Sequence, residues 1–397
     1  MTTIRRVLML IENAPVPKDS RVWPEALALR DAGMQVCVLC PRELPRYKEG
    51  YLCLEGVHVY RYPVPHSANP YLDYLLEYSA GLLMSFLYSL WIWFRRGFDV
   101  LHVGNPPDLF FPLALFYRLF GKKFVFDQHD LTPELFRVKL GRGGVIHRLL
   151  LFCEWCTYRA AHVVLVVNGS LKRIAMRRGG VAPGRVFIVR NGPNIQQMKR
   201  VAPEIELKQG KTYLLAYMGV MGVQDGVEYA LYALRDLVSL HKRRDVLLVL
   251  MGDGEALPGL KRLADDLELN EYVHFPGWLE QPELLRYLSV ADAGISPDPQ
   301  NGLNEYCSMV KTMKYMAMEL PIVAFDLEET RISAGDAALY AVPNEVADFA
   351  DKIETLLNNP DLRARLGAAG RRRIEEQFSW EHDKQNLLLA YQTLGAL

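Results

Sequence analysis

The chain has 397 residues, 45.3 kDa, and 46 Lys+Arg against 46 Asp+Glu, so its formal charge is zero. That balance excludes a strongly basic nucleic-acid binder and an acidic disordered tail. Half the residues are hydrophobic, which supplies cores for two domains of roughly 150 to 200 residues each.

The first segment, MTTIRRVLMLIENAP, reads as a strand and not as a secretory signal, which places the protein in the cytoplasm. RRVLMLIE, MQVCVLC, VHVYRYP, FDVLHV, KKFVFD, HVVLVV and VFIVR follow one another as short β-branched runs with helical periodicity between them. A second set, TYLLAYMG, DVLLVLMG, EYVHFPG, AGISP, PIVAFD and ALYAV, repeats the alternation. This order predicts βαβ units and two parallel sheets. The stretch NGPNIQQMKRVAPEIELKQGK lacks periodicity and is the expected linker. The predicted domains are 1–197 and 205–378, with a helix over 379–397 that could pack back on the first.

Two Cys-x-x-Cys pairs are present. Cys37 and Cys40 fall in a strand, where positions three apart point to opposite faces, so they cannot share a metal. Cys153 and Cys156 could share a helix face, as a zinc half-site or as core packing.

Between Glu77 and Arg95 runs YSAGLLMSFLYSLWIWF, about 26 Å long as a helix and close to bilayer thickness. Strands of one parallel sheet lie on both sides of it, which argues against spanning. A buried crossover helix is one reading; the aromatics followed by Arg95 and Arg96 suit contact with a membrane surface as another. The charge is also divided: residues 1–200 hold 27 Lys+Arg and 15 Asp+Glu, residues 201–397 hold 19 and 31. A basic half is attracted to anionic lipid. The cluster Lys172, Arg173, Arg177 and Arg178 reads as a solvated helix face.

Gly219-Val220-Met221-Gly222 joins a strand to a helix beginning near Asp225. Such a turn either presents backbone N–H groups to a diphosphate or is a plain tight turn. The segment Val310-Lys311-Thr312-Met313-Lys314-Tyr315-Met316-Ala317-Met318-Glu319-Leu320-Pro321 resembles the donor-binding helix N-K-x-x-E-Y-M-A-x-G-x-P of bacterial glycosyltransferases of family 4. DSRVWPEALALRDAG, FDQHDLTPELF, IVRNGPN, MGVMGVQDGVEYAL, GDGE, HFPGWL and FSWEH resemble the family in the same order, from residue 5 to residue 392.

The resemblance implies an α/β GT-B fold, two doubly wound Rossmann-like domains facing a cleft. It further implies sugar transfer from a nucleotide-diphosphate donor with retention of configuration and with no metal or cofactor. On this reading His129, Asp130 and Glu305 are the catalytic candidates. Gly219, Gly222, Arg190, Asn191, Asn304, Lys311 and Lys314 are expected to bind donor, and Asp19 and Arg21 acceptor. The chain departs from the family pattern at Lys314, where a ribose-binding Glu is usual, at Glu319, where Gly is usual, and at Met221 and Asp225, where the phosphate turn lacks its Arg and Lys. An active enzyme with an altered donor pocket and a degenerate relative kept as a binding or scaffold partner both follow. The expected acceptor is a polyprenyl-linked saccharide used in cell-surface polysaccharide synthesis, with the protein peripheral on the inner face of the membrane and no nucleic-acid partner.

Overall fold

A computed structural model describes residues 5–395 apart from 13, 44–45, 65–69 and 141–143; for 70–79 and 140 only the backbone is described. The chain divides into two units, Met1–Asn191 with Asp383–Leu397, and Gly192–His382.

The first unit runs β1 (Arg6–Leu10), α1 (Val22–Asp31), β2 (Gln35–Pro41), β3 (Tyr51–Leu54), β4 (Val57–Tyr62), α2 (Pro70–Arg95), β5 (Val100–Gly104), α3 (Phe111–Arg118), β6 (Lys123–Gln128), α4 (Thr132–Leu140), α5 (Val145–Ala160), β7 (Val163–Val166), α6 (Gly169–Arg177) and β8 (Val186–Ile188). Its sheet has the order β3-β4-β2-β1-β5-β6-β7-β8, parallel except for β3. The sequence reading does not include β3. It pairs antiparallel with β4 through the two-residue turn Glu55-Gly56, both at positive φ, the twist that a tight hairpin requires.

The second unit runs β9 (Tyr213–Met218), α7 (Val227–Ser239), β10 (Val246–Met251), α8 (Leu257–Asp266), β11 (Val273–Gly277), α9 (Gln281–Val290), β12 (Ala293–Ser296), α10 (Val310–Ala317), β13 (Ile322–Phe325), α11 (Glu328–Ala334), β14 (Ala338–Ala341), α12 (Val346–Leu357) and α13 (Pro360–Arg373). Its sheet, β11-β10-β9-β12-β13-β14, is parallel throughout. Successive residues of β9 enter opposite cores: Leu215 and Tyr217 join one, Leu214, Ala216 and Met218 the other. Period-two alternation with both faces buried is why such strands read as continuous apolar runs. Both units are therefore Rossmann-like, with helices on both faces of a parallel sheet.

The final helix, α14 (Trp380–Thr393), carries the chain from the second unit back to the first. Leu387, Ala390 and Tyr391 are buried, and the Tyr391 hydroxyl lies 2.8 Å from Nδ1 of His102 on β5. All six cysteines are free, and burial pushes the Cys37 and Cys40 thiols up to about 11. Among the described residues no helix is long and apolar enough to cross a membrane. In α2, Ser85, Ser89 and Ile92 are buried, as a crossover helix requires.

Candidate active site

In an open α/β sheet, ligands sit beyond the carboxyl ends of the strands where the strand order reverses. In the first unit that point lies between β1 and β5, in the second between β9 and β12.

At the first point a buried charge cluster surrounds Arg21, which is 3% exposed. Its Nε donates to Asp127 Oδ2 at 2.8 Å and its Nη2 to Asp127 Oδ1; Nη1 donates to the Val189 carbonyl at 2.6 Å and to Asn191 Oδ1 at 2.9 Å. Desolvation opposes ionisation of Asp127, but Arg21 and His129 outweigh it and hold the carboxyl well below its usual range. Glu25, fully buried 3.5 Å from Arg21 Nε, is pushed well above its usual range by desolvation and by Asp127. Burial likewise lowers the pKa of His102, whose Nε2 is 3.5 Å from Glu25 and 3.7 Å from Asp127. Arg21 already supplies the positive charge that faces these groups, so the trio Glu25, His102 and Asp127 is poorly suited to a cation.

His129 follows β6, and its Nε2 lies 2.6 Å from Asp127 Oδ2. With a carboxylate partner this nitrogen carries the proton, which leaves Nδ1 as the ring's acceptor in the neutral form. The backbone amides of His129 and Asp130 both donate to Asn105 Oδ1, at 2.6 and 3.2 Å. Asp19 Oδ1 accepts from the amides of Arg21 and Val22 at 2.9 and 2.6 Å and so starts α1. Arg21 and Asp19, expected to hold acceptor, are engaged in these internal bonds. Asn191, expected at the donor, holds Arg21, and Arg190 lies 4.0 Å from Asp383 within the first unit. Arg178 is not a solvated charge either: it pairs with Glu134 and Glu154, each at 2.6 Å.

At the second point the loop after β9 packs backbone to backbone on the loop after β10. A Cβ on Gly252 would stand 1.8 Å from the Gly219 carbonyl oxygen, and one on Gly254 2.5 Å from that of Met221. The amides of Gly219 and Met221 donate to the Met251 and Asp253 carbonyls at 3.0 and 2.9 Å, and that of Gly222 donates to Asp225 Oδ2 at 2.8 Å. The expectation that Gly219 and Gly222 present free N–H groups is thus corrected: Asp225, three residues on, takes the place of an anion.

Lys311 is neither a solvated charge nor a free cation. It is buried, with Nζ 2.5 Å from Asp298 Oδ1 and 5.0 Å from the centre of the Tyr217 ring. Burial works against its charge, but Asp298 and Asp225 outweigh burial and raise its pKa. Lys314, one turn along the same helix, is half-buried and has no ion-pair partner among the described residues; desolvation lowers its pKa. Asn304 is buried, its Nδ2 donating to the Gln224 and Pro299 carbonyls at 2.8 and 3.0 Å, so it braces the loop and does not face a sugar. Glu305 is half-buried and accepts from Gln300 Nε2 at 2.9 Å. The sequence reading missed Asp127 and Asp298. Each is an acid at or just beyond a strand's carboxyl end, and that position was the available signal.

Two family models match, Glycosyltransferase Family 4 over residues 22–197 and Glycosyl transferases group 1 over 212–359. The chain is a glycosyltransferase. This glycosyltransferase is 27% identical over 155 residues to an alpha-D-kanosaminyltransferase of Streptomyces kanamyceticus, covering 38% of each protein. It is 23% identical over 339 residues to a chitobiosyldiphosphodolichol beta-mannosyltransferase of Candida glabrata, covering 75% of this chain and 72% of that one. Sucrose-phosphate synthase from Thermosynechococcus elongatus superposes with a TM-score of 0.79 at 19% identity, covering 99% of this chain and 100% of that one, which gives the fold as GT-B.

Proposed function

We propose that this glycosyltransferase moves a sugar, with retention of configuration, from a nucleotide-diphosphate donor to a polyprenyl-linked saccharide at the inner face of the cell membrane, in cell-surface polysaccharide synthesis. The observation that carries the reading is the pair of lysines on α10. Lys311 is neutralised by Asp298 and rests against the glycine loop, whereas Lys314 is half-buried without a counter-charge among the described residues. A half-buried cation that no described carboxylate pairs suits an anionic ligand, and the leaving group of this chemistry is a nucleoside diphosphate.

In the transfer, the bond from the anomeric carbon to the diphosphate oxygen breaks and the diphosphate leaves with the electron pair. The acceptor hydroxyl bonds to the carbon and gives its proton to the departing diphosphate oxygen. Lys314 stabilises charge on the diphosphate. Glycine at 219, with φ of 142°, keeps Cβ atoms away from an approaching phosphate. On the first unit His129, its ring fixed by Asp127, offers Nδ1 as a hydrogen-bond acceptor for a hydroxyl. The lipid-linked acceptor is supported by the mannosyltransferase relative, whose name includes a dolichol diphosphate, and by the basic N-terminal half.

Titration calorimetry with a panel of nucleoside diphosphates tests the reading. Micromolar binding of one of them is expected; no binding to any would favour a degenerate protein that serves as a scaffold.

A further inference from the structure

The three helices α2, α3 and α5 lie side by side in the first unit. Phe86 of α2 meets Phe116 of α3 edge-on at 5.4 Å, and the Ser89 and Tyr117 hydroxyls bond at 2.9 Å. α3 packs on α5, and Arg118 Nη1 donates to the Ala160 carbonyl at 2.8 Å. Their inner sides build the core, yet their outer sides are also apolar. On α2, Leu83, Leu87, Trp91 and Phe94 are exposed, Phe94 by 82%. At α3 and just beyond it, Leu115, Leu119 and Phe120 are exposed, Leu119 by 83%. On α5, Val145, Ile146, Leu149, Phe152 and Trp155 form a stripe at helical spacing. By contrast, no α-helix of the second unit carries more than one exposed large apolar side chain among the described residues.

The charged side chains exposed on the described part of these helices are basic. Arg95, Arg118, Arg148 and Arg159 are exposed, and Lys122 lies over the rings of Trp93 and Phe98 at 5.8 and 5.9 Å. Among the described side chains of the three helices the one carboxylate is Glu154, and it is buried. Nearby, Arg118, Lys123 and Arg185 add to burial in depressing His162 to about 4, which reflects the positive potential of this region.

We infer that the outer face of α2, α3 and α5 is a docking surface for an anionic phospholipid bilayer, into whose interface its aromatic and leucine side chains insert while the arginines meet the headgroups. Apolar side chains beside basic ones, with no exposed acid among the described side chains of the three helices, match such an interface. The inference deepens the proposed lipid-linked acceptor, but its readout is vesicle binding and does not depend on sugar transfer.

Flotation of the full chain with vesicles tests it, comparing phosphatidylcholine alone with phosphatidylcholine mixed with phosphatidylglycerol. The chain is expected to float with the mixed vesicles at low salt, and less at high salt, where headgroup attraction is screened. The pair Leu149→Glu and Phe152→Glu, and separately Phe94→Glu with Leu119→Glu, should each lower partitioning by about a hundredfold. Ile332→Glu on the second unit should not. All of these sites are exposed, and unchanged circular dichroism and melting temperature confirm folding. The proposal is overturned if the wild-type chain stays in the dense fractions with the mixed vesicles, or if the glutamates leave flotation unaltered. It is overturned too if the chain fails to float and sedimentation shows a dimer that the same glutamates dissolve, since a second copy then covers the face. A chain that floats but binds no nucleoside diphosphate sinks the donor reading and leaves this one standing.

Discussion

Lys311 and Lys314 share one helix and one residue type, and differ in what faces them. Asp298 neutralises the first, and among the described residues no carboxylate neutralises the second. On the proposed reading Lys314→Glu therefore puts a negative charge near the diphosphate and weakens nucleoside diphosphate binding about tenfold or more by calorimetry. Unchanged binding would remove Lys314 from the donor site. Glu319, two residues beyond α10, holds φ at 56°, where glycine is at ease and glutamate is strained. The turn persists because Arg200 donates to the Met318 and Glu319 carbonyls at 3.0 and 3.2 Å and Arg371 to that of Ala317 at 2.7 Å. Glu319→Gly relieves the strain and should add about 1 kcal/mol, raising the melting transition of the second unit by about 2 °C. The departure at Glu319 was legible in the sequence because the backbone conformation follows from the family pattern. The partner of Lys311 was not, because Asp298 lies thirteen positions away in the loop that follows β12.

Strands were legible from their β-branched apolar runs, at the edges β8, β11 and β14 as well as in the middle of the sheets. β3 escaped notice because Tyr51–Leu54 is four residues long, with alternate side chains exposed, and pairs through one hairpin. The links between elements were equally hidden. Arg21 on the way into α1 and Asp127 at the end of β6 are 106 positions apart, and only the fold shows that the arginine is a buried strut. His162, at the junction of α5 and β7, gives a pH test at this scale. It accepts from the Phe124 amide through Nδ1 at 3.0 Å, and burial, together with Arg118, Lys123 and Arg185, lowers its pKa from 6.5 to about 4. Between those values the unfolded chain binds a proton that the folded chain refuses, so stability is full above 6.5 and falls as pH drops toward 4. His162→Gln should flatten that decline, read as urea midpoints of the first unit on either side of the window.

At the scale of the molecule, a neutral sequence resolves into a basic N-terminal half and an acidic C-terminal half, and the first unit contains the apolar face flanked by arginines. Its core also depends on α14, through Leu387, Ala390, Tyr391 and the bond from Asn386 Nδ2 to the Ile188 carbonyl at 3.0 Å. Deleting residues 383–397 should lower the calorimetric transition of the first unit by about 10 °C or more, while that of the second unit stays in place. Retention of both transitions would mean that α14 is dispensable. The same helix has a consequence for synthesis. A chain emerging from the ribosome ordinarily completes its N-terminal domain first. Here residues 192–382 are one compact unit of contiguous sequence, whereas His102 and the strands around it wait for Tyr391 to arrive. The order of maturation is thereby inverted, and the nascent first unit stays open on one side, a substrate for chaperones, until its closing helix has been translated.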